Sequence, residues 1–286
     1  LRGYDDALFL AEELGEISAA DRIRRARLEF RIHLHESILH AVAAHKIDFV
    51  PGSAELGDFD ATSTTVALSP GDEQARLRPD LLQNTFDRYW REFTARRNSR
   101  TNWETYTPYE LRLIGAFTRL GWRDRIPALL EFFLSHRRPA AWNGWAEVVG
   151  RDPRKPLFIG DMPHAWIASD CIRSVLDMFA YRRGGDGALV LAAGLPPDWL
   201  EGEGVGISGL VTPWGKLSYS LRKEEDVLHL RLDAEGLPPG GFVLPWPYPG
   251  KPGDAEIDGR AIPWKKTREL PIESGHADIK IKVPKE

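Results

Sequence analysis

Residues 163–194, PHAWIASDCIRSVLDMFAYRRGGDGALVLAAG, decide the fold class, because two textures meet inside them. Pro163 is tolerated at a helix start but not within one, and Ile167, Ile172, Val175, Leu176 and Phe179 then recur at helical spacing. That spacing predicts a helix over 165–182. From about Gly184 the texture is short, partly alternating apolar runs separated by Gly, Pro and Asp. The runs are LVLAAG (189–194), ISGLVT (207–212), KLSYSLR (216–222), VLHLRLD (227–233), GFVLPW (241–246), AEIDG (255–259) and DIKIKV (278–283). They read as an antiparallel β-sandwich of about a hundred residues. Everything before them reads as helix and loop, so the chain is expected to be multidomain α and β. Helical hairpins fill 1–183 and the sandwich fills 184–286.

Moving toward the N-terminus, residues 141–166, AWNGWAEVVGRDPRKPLFIGDMPHAW, form a broken stretch punctuated by Pro153, Pro156, Gly160 and Pro163. It holds Trp142, Trp145 and Trp166 beside Glu147, Asp161 and His164. Tryptophan faces stack on the C–H side of sugar rings, and carboxylates move protons at a glycosidic oxygen, so this mixture points to carbohydrate chemistry. The plainer account is a Trp-rich loop plugging a helical core. In that account Asp161 caps the last helix and His164 binds a loop carbonyl.

The rest of the N-terminal part alternates helices with loops. Residues 4–14 carry Ala7, Leu8, Leu10, Ala11 and Leu14, with Gly15 closing the helix. Ser18 and Asp21 resemble a capping box opening a helix to about Lys46. That helix is apolar on two sides, through Ile23, Ala26, Phe30 and Leu34 and through Leu28, Ile32, Leu39 and Val42, and is therefore expected to lie between neighbours. His33, His35, His40 and His45 lack the spacing of a zinc ligand set. The loop at 50–60 displays Asp58 and Asp60, which can serve catalysis, bind a sugar hydroxyl or cap the next turn. Further helices are expected over 79–97, 107–119 and 122–136. Between the first two, NWETYTPYE (102–110) offers Trp103, Glu104, Tyr106 and Glu110. If the helices pair antiparallel, the loops at 50–60, 101–108 and 140–164 open on one end.

Composition narrows the function. The 286 residues hold 38 Lys and Arg against 42 Asp and Glu, a formal net charge of −4, without a basic stripe, so nucleic acid is not an expected partner. The single cysteine, Cys171, excludes a disulfide framework and a Cys-based zinc site. No apolar run reaches membrane-spanning length, so a soluble protein of the bacterial cytoplasm, periplasm or exterior is expected. With no Gly-rich phosphate loop and no clustering of metal-ligand types, neither cofactor nor metal is expected. A calcium ion on Asp58 and Asp60 has no support. The opening on Leu1, already helical, reads as the interior of a longer polypeptide.

Five segments together resemble a known superfamily. They are RGYDDALFLAEELG (2–15), ELGDFDATSTT (55–65), NWETYTPYE, WNGWAEVV (142–149) with GDMPHAW (160–166), and LVLAAGLPPDWL (189–200) with GISGLVTPWGKLSYSL (206–221). Helical hairpins, one acid-and-tryptophan loop face and a C-terminal sandwich resemble the six-hairpin, (α/α)6-barrel glycoside hydrolases. The nearest group is the α-L-rhamnosidases and debranching-enzyme-like α-glucosidases. The resemblance covers nearly the whole chain through short, degenerate motifs. It implies an α/α-hairpin toroid, here partial, because a complete barrel has twelve helices and about seven are legible. It also implies that the general acid lies upstream of Leu1. The upstream part of the same enzyme, or a second chain, would then complete the barrel.

Under that resemblance the reaction is hydrolysis of an oligosaccharide or glycoside by two carboxyl groups, with inversion. Glu147 is expected as the base and Glu104 as the next candidate. A glutamate beside tryptophan also suits the acid, and sequence leaves that role open. Asp58, Asp60, Asp161 and His164 are expected to bind hydroxyls, and Trp103, Trp142, Trp145 and Trp166 to form the walls. The rival readings are a non-catalytic carbohydrate-binding fragment and a helical-toroid scaffold whose tryptophans are all core.

Overall fold

The computed structural model describes residues 1–155, 157–262 and 268–284. Compactness divides the chain into two units, Leu1–Thr105 and Tyr106–Glu286. The division at 183/184 read from the sequence follows secondary structure instead, since helix gives way to strand at Phe179–Ala180.

The first unit contains α1 (Arg2–Glu13), α2 (Ile17–His45), α3 (Ala61–Leu68) and α4 (Pro79–Arg97). Gly15, at φ +69°, turns the chain between α1 and α2. The capping box does not form: α2 starts at Ile17, and Ser18 instead accepts from Arg22 at 3.0 Å. Arg24 and Arg27 of α2 pair with Glu12 and Asp5 of α1, clasping the hairpin. The expectation that α2 lies between neighbours is overturned. Only Ala20 and Ala41 of its 29 residues are buried, while Leu28, Phe30, Ile32, Leu34 and Leu39 are exposed. α1 lies beside this helix, and Arg31 and His35 reach from it to Glu73, but its large apolar side chains stay largely open to water.

The core of this unit sits on α4. Pro79 opens that helix, where a missing N–H costs nothing, and Leu81, Leu82, Phe86, Tyr89 and Phe93 form its buried stripe. Thr85 accepts from Val50 N–H at 2.9 Å, tying the 50–60 loop down. The buried carboxylate of Glu73 receives a forked pair of bonds from Arg31, at 3.0 and 2.7 Å, with His35 Nε2 at 3.4 Å.

In the second unit a 3-10 turn over Pro108–Leu111 leads into α5 (Arg112–Leu120), followed by α6 (Ile126–Ser135) and α7 (Ala165–Phe179). Arg112 Nε meets Asp170 Oδ2 at 2.5 Å and Arg119 Nε meets Asp177 Oδ2 at 3.1 Å, so two ion pairs about two helical turns apart lock α5 onto α7. Gly194 follows in a tight spot: a Cβ there would stand 2.4 Å from Thr118 Oγ1 and 2.7 Å from Met178 Cγ.

The last helix ends three residues before the sequence reading places it. Ala180–Arg182 is strand β1, paired antiparallel with β2 (Leu189–Leu191) in the register Tyr181↔Val190. Both side chains are buried with Ala193, which stabilises the extended form over another helical turn.

After β2 come β3 (Val205–Thr212), β4 (Gly215–Glu224), β5 (Val227–Ala234), β6 (Phe242–Pro245), β7 (Ala255–Ile257), β8 (Arg260–Ile262), β9 (Glu269–Ile272) and β10 (His276–Lys282). One sheet runs β8-β7-β10-β5-β4-β3 and is antiparallel throughout. Leu217, Tyr219 and Leu221 alternate with outward polar residues, as do Leu228, Leu230 and Leu232, so this sheet has one covered face. The other sheet runs β9-β6-β2-β1, and β2 and β6 are parallel, which corrects the wholly antiparallel expectation. Every residue of β2 is buried, as expected of strands covered on both faces. Tyr219 donates its hydroxyl to Phe179 O at 2.8 Å, joining the six-stranded sheet to the segment entering β1. Among the described residues no helix is long and apolar enough to cross a membrane.

Candidate functional site

The loop between α6 and α7 is held from below by Trp145. Its indole N–H donates to Phe133 O at 2.8 Å, and only 6% of the residue is exposed. Trp145 was expected as a wall; it is the anchor of the loop instead. Asn143, in the left-handed region at φ 53°, and the bond from Arg138 N to Gly144 O at 2.9 Å turn the chain back so that Trp145 can enter the core. Ala146 and Val149 are buried on either side, which leaves Glu147 half-buried at the rim.

The chain returns through a short 3-10 turn, Ile159–Asp161, and reaches α7 at His164. Glu147, Asp161 and His164 converge there, with one ligand-type atom from each lying within 4.8 Å of the others. Metal-ligand types therefore do cluster, contrary to the sequence reading, and these three could hold a divalent cation. Two carboxylates and an imidazole also suit the hydroxyls of a sugar. Together with Pro163, Ala165 and Trp166 they line an open cavity of about 270 Å³. Trp166, 71% exposed, supplies a bare aromatic face at its edge.

His164 occupies the N-cap position of α7 without a side-chain cap bond, and Asp161 does not cap that helix. The imidazole is flanked edge-on by Tyr109 at 5.9 Å and Trp166 at 6.1 Å, and its Nδ1 is buried without a hydrogen-bond partner. Behind it, Arg112 lies 4.5 Å over the Tyr109 ring while holding Asp170. Burial first, and the charge of Glu147 second, push the Tyr109 phenol above its ordinary range, against the pull of Arg112. Tyr109 thus remains a neutral hydroxyl beside the acid cluster at physiological pH.

The other expected residues take separate places. Trp142 is on the same loop and 57% exposed, but it does not line this cavity. Asp60 caps α3, accepting from Ser63 N–H at 2.8 Å and from its hydroxyl at 2.5 Å. Asp58 accepts from Ser53 N–H and Oγ, both at 3.0 Å. These two carboxylates do the local turn work that short loops before helices call for. Trp103, half-buried, and Glu104, exposed, belong to the first unit.

Tyr109, Arg112 and Asp170 were not singled out from sequence. Tyr109 reads there as one more apolar helix position. Arg112 and Asp170 are separated by 58 residues, with no local pattern linking them.

No protein-family model matches this chain, and no curated protein matches it. Among solved structures the chain is similar to an alpha-L-rhamnosidase from Dictyoglumus thermophilum, with 13% identity and a TM-score of 0.41. The alignment covers 98% of this chain and 31% of that one, so the chain spans less than a third of that protein's length.

Proposed function

We propose that the chain is the C-terminal part of a glycoside hydrolase, contributing part of an (α/α)-hairpin toroid, a sandwich domain and one of the two catalytic carboxyl groups. The observation that carries this reading is the convergence of Glu147, Asp161 and His164 beside the bare face of Trp166. Glu147 is the base: it takes a proton from water, whose oxygen bonds to the anomeric carbon as the glycosidic C–O bond breaks. The departing oxygen takes its proton from a carboxylic acid on the upstream part of the enzyme or on a second chain. An inverting pair of this kind stands ~6.5–9.5 Å apart. Asp161 and His164 hold sugar hydroxyls, with Trp166 stacking on the ring, and Glu104 is the alternative base.

Turnover of a panel of aryl glycosides, α-L-rhamnoside first, by the chain joined to its upstream partner tests this. Glu147→Gln is expected to lower kcat by ~10²–10⁴. Trp166→Ala is expected to act mainly on KM. Normal turnover in Glu147→Gln removes that residue from the base role, and Glu104→Gln then becomes decisive. Sugar binding without hydrolysis favours the non-catalytic carbohydrate-binding reading. A simpler screen is thermal shift with free monosaccharides, where a ligand at ~100 times its dissociation constant adds ~2.7 kcal/mol of stability.

A further inference from the structure

A second cavity of the Tyr106–Glu286 unit, about 540 Å³, is lined from the α5–α6 connection, the exit of β6 and the entry to β9. Three arginines, Arg119, Arg123 and Arg268, line it against two carboxylates, Asp124 and Glu269. Arg123 donates to Leu195 O at 3.3 Å and to Pro245 O at 3.5 Å, both neutral and both long, and among the described residues it forms no ion pair with a carboxylate. Arg268, whose guanidinium donates to Tyr248 O, lines the same space. So does Tyr248, whose hydroxyl is buried without a hydrogen-bond partner.

The neighbouring charges do not settle the account. Arg119 on this wall is taken by Asp177, and Glu269 is taken by Arg183 at 2.8 Å; Asp124 is exposed. Burial, and then the charge of Arg268, lower the pKa of Arg123 to about 10, so the guanidinium still carries its charge at neutral pH. Burial, and then Glu201, raise the Tyr248 phenol to about 12, so it still carries its proton. A half-buried cation held only by carbonyls, next to a second cation and an idle O–H donor, lacks an acceptor.

We propose that this cavity binds a small oxyanion (a carboxylate, phosphate or sulfate group), held by Arg123 and Arg268 and accepting the hydroxyl hydrogen of Tyr248. Planar guanidinium forks fit the paired oxygens of such groups, whereas a spherical halide uses only one donor direction. The site shares no lining residue with the Glu147 cavity, so it stands whether or not that cavity hydrolyses a glycoside.

Calorimetric titration of the full chain with sodium phosphate, sodium sulfate and sodium glucuronate, against sodium chloride at equal ionic strength, tests it. Calorimetry is preferred because sulfate raises melting temperatures of most proteins without a site. Saturable, one-to-one heat with an oxyanion and not with chloride is expected. Arg268→Gln, a change at an exposed residue, should weaken it about tenfold or more, and Arg123→Gln should abolish it. If Arg123→Gln fails to fold, Arg268→Gln and Tyr248→Phe carry the test. Tighter glucuronate than phosphate assigns the site to an acidic sugar, and the reverse assigns it to the free inorganic ion. No saturable heat with any of the three, or affinities unchanged in Arg268→Gln and Tyr248→Phe, overturns the proposal.

Discussion

Two helices of this protein are rich in apolar side chains and meet opposite fates. α2, 29 residues long, buries only Ala20 and Ala41, whereas α5, nine residues long, buries Leu113 through Thr118 without a break. The difference begins in the sequence: the apolar residues of α2 spread over two sides of the helix, whereas those of α5 gather on one. α5 is clamped to α7 by two buried or half-buried ion pairs and lies above Tyr181, where Arg119 stands 4.5 Å over the ring. α2 meets α1 along part of its length and presents Leu28, Phe30 and Ile32 to water. The gathering of apolar residues on one face and the neighbours that cover that face together decide how much a helix contributes to stability.

The comparison breaks most readily at Phe117. Replacing this fully buried ring with alanine should cost about 3–5 kcal/mol in chemical denaturation of the second unit. Asp170→Ala, which strands the charges of Arg112 and Arg173, should cost about 3 kcal/mol in the same measurement. Alkali probes the same unit. Burial holds the phenol of Tyr181 up to about 12, and Tyr219 and Tyr248 are also raised. The folded unit therefore keeps protons that the unfolded chain loses above pH ~10. Stability should be complete below pH ~10 and fall as pH climbs toward 12, with Arg123, lowered to about 10, opposing in part. Phenolate absorbance in the folded protein should appear correspondingly late, and an ordinary titration of all seven tyrosines would contradict this. Gly194→Ala should cost about 1–3 kcal/mol through its clash with Thr118 and Met178. The smallest effect belongs to α2, where Phe30→Ala should stay within about 0.5 kcal/mol. A loss matching that of Phe117→Ala would show that something covers α2 in solution.

What could be read from sequence follows the same division between local and long-range physics. Helices at 79–97 and 122–136 are written in 3.6-residue spacing and in Pro79, and the strands in alternation such as Leu217, Tyr219 and Leu221. Asp60 as a cap stood in the sequence only as one of three open roles, although its partner, Ser63, is three residues away. The place of Trp145 is not written locally, because nothing local separates a tryptophan stacking on a ligand from one donating to a carbonyl twelve residues back. The Glu147, Asp161 and His164 cluster was legible only as a short span rich in the right side chains. Its backing by Tyr109, Arg112 and Asp170 was not, since that depends on how α5 lies against α7.

The parallel pairing of β2 with β6 also orders events during synthesis. Leu189–Leu191 leaves the ribosome about 50 residues before Phe242, and at roughly 5–20 residues per second that interval is several seconds. For that time a strand buried on both faces in the finished protein has only β1 beside it, with its other edge open to any passing strand. The nascent chain is thus most exposed to wrong pairing, and to a chaperone's attention, between the emergence of Leu191 and that of Phe242.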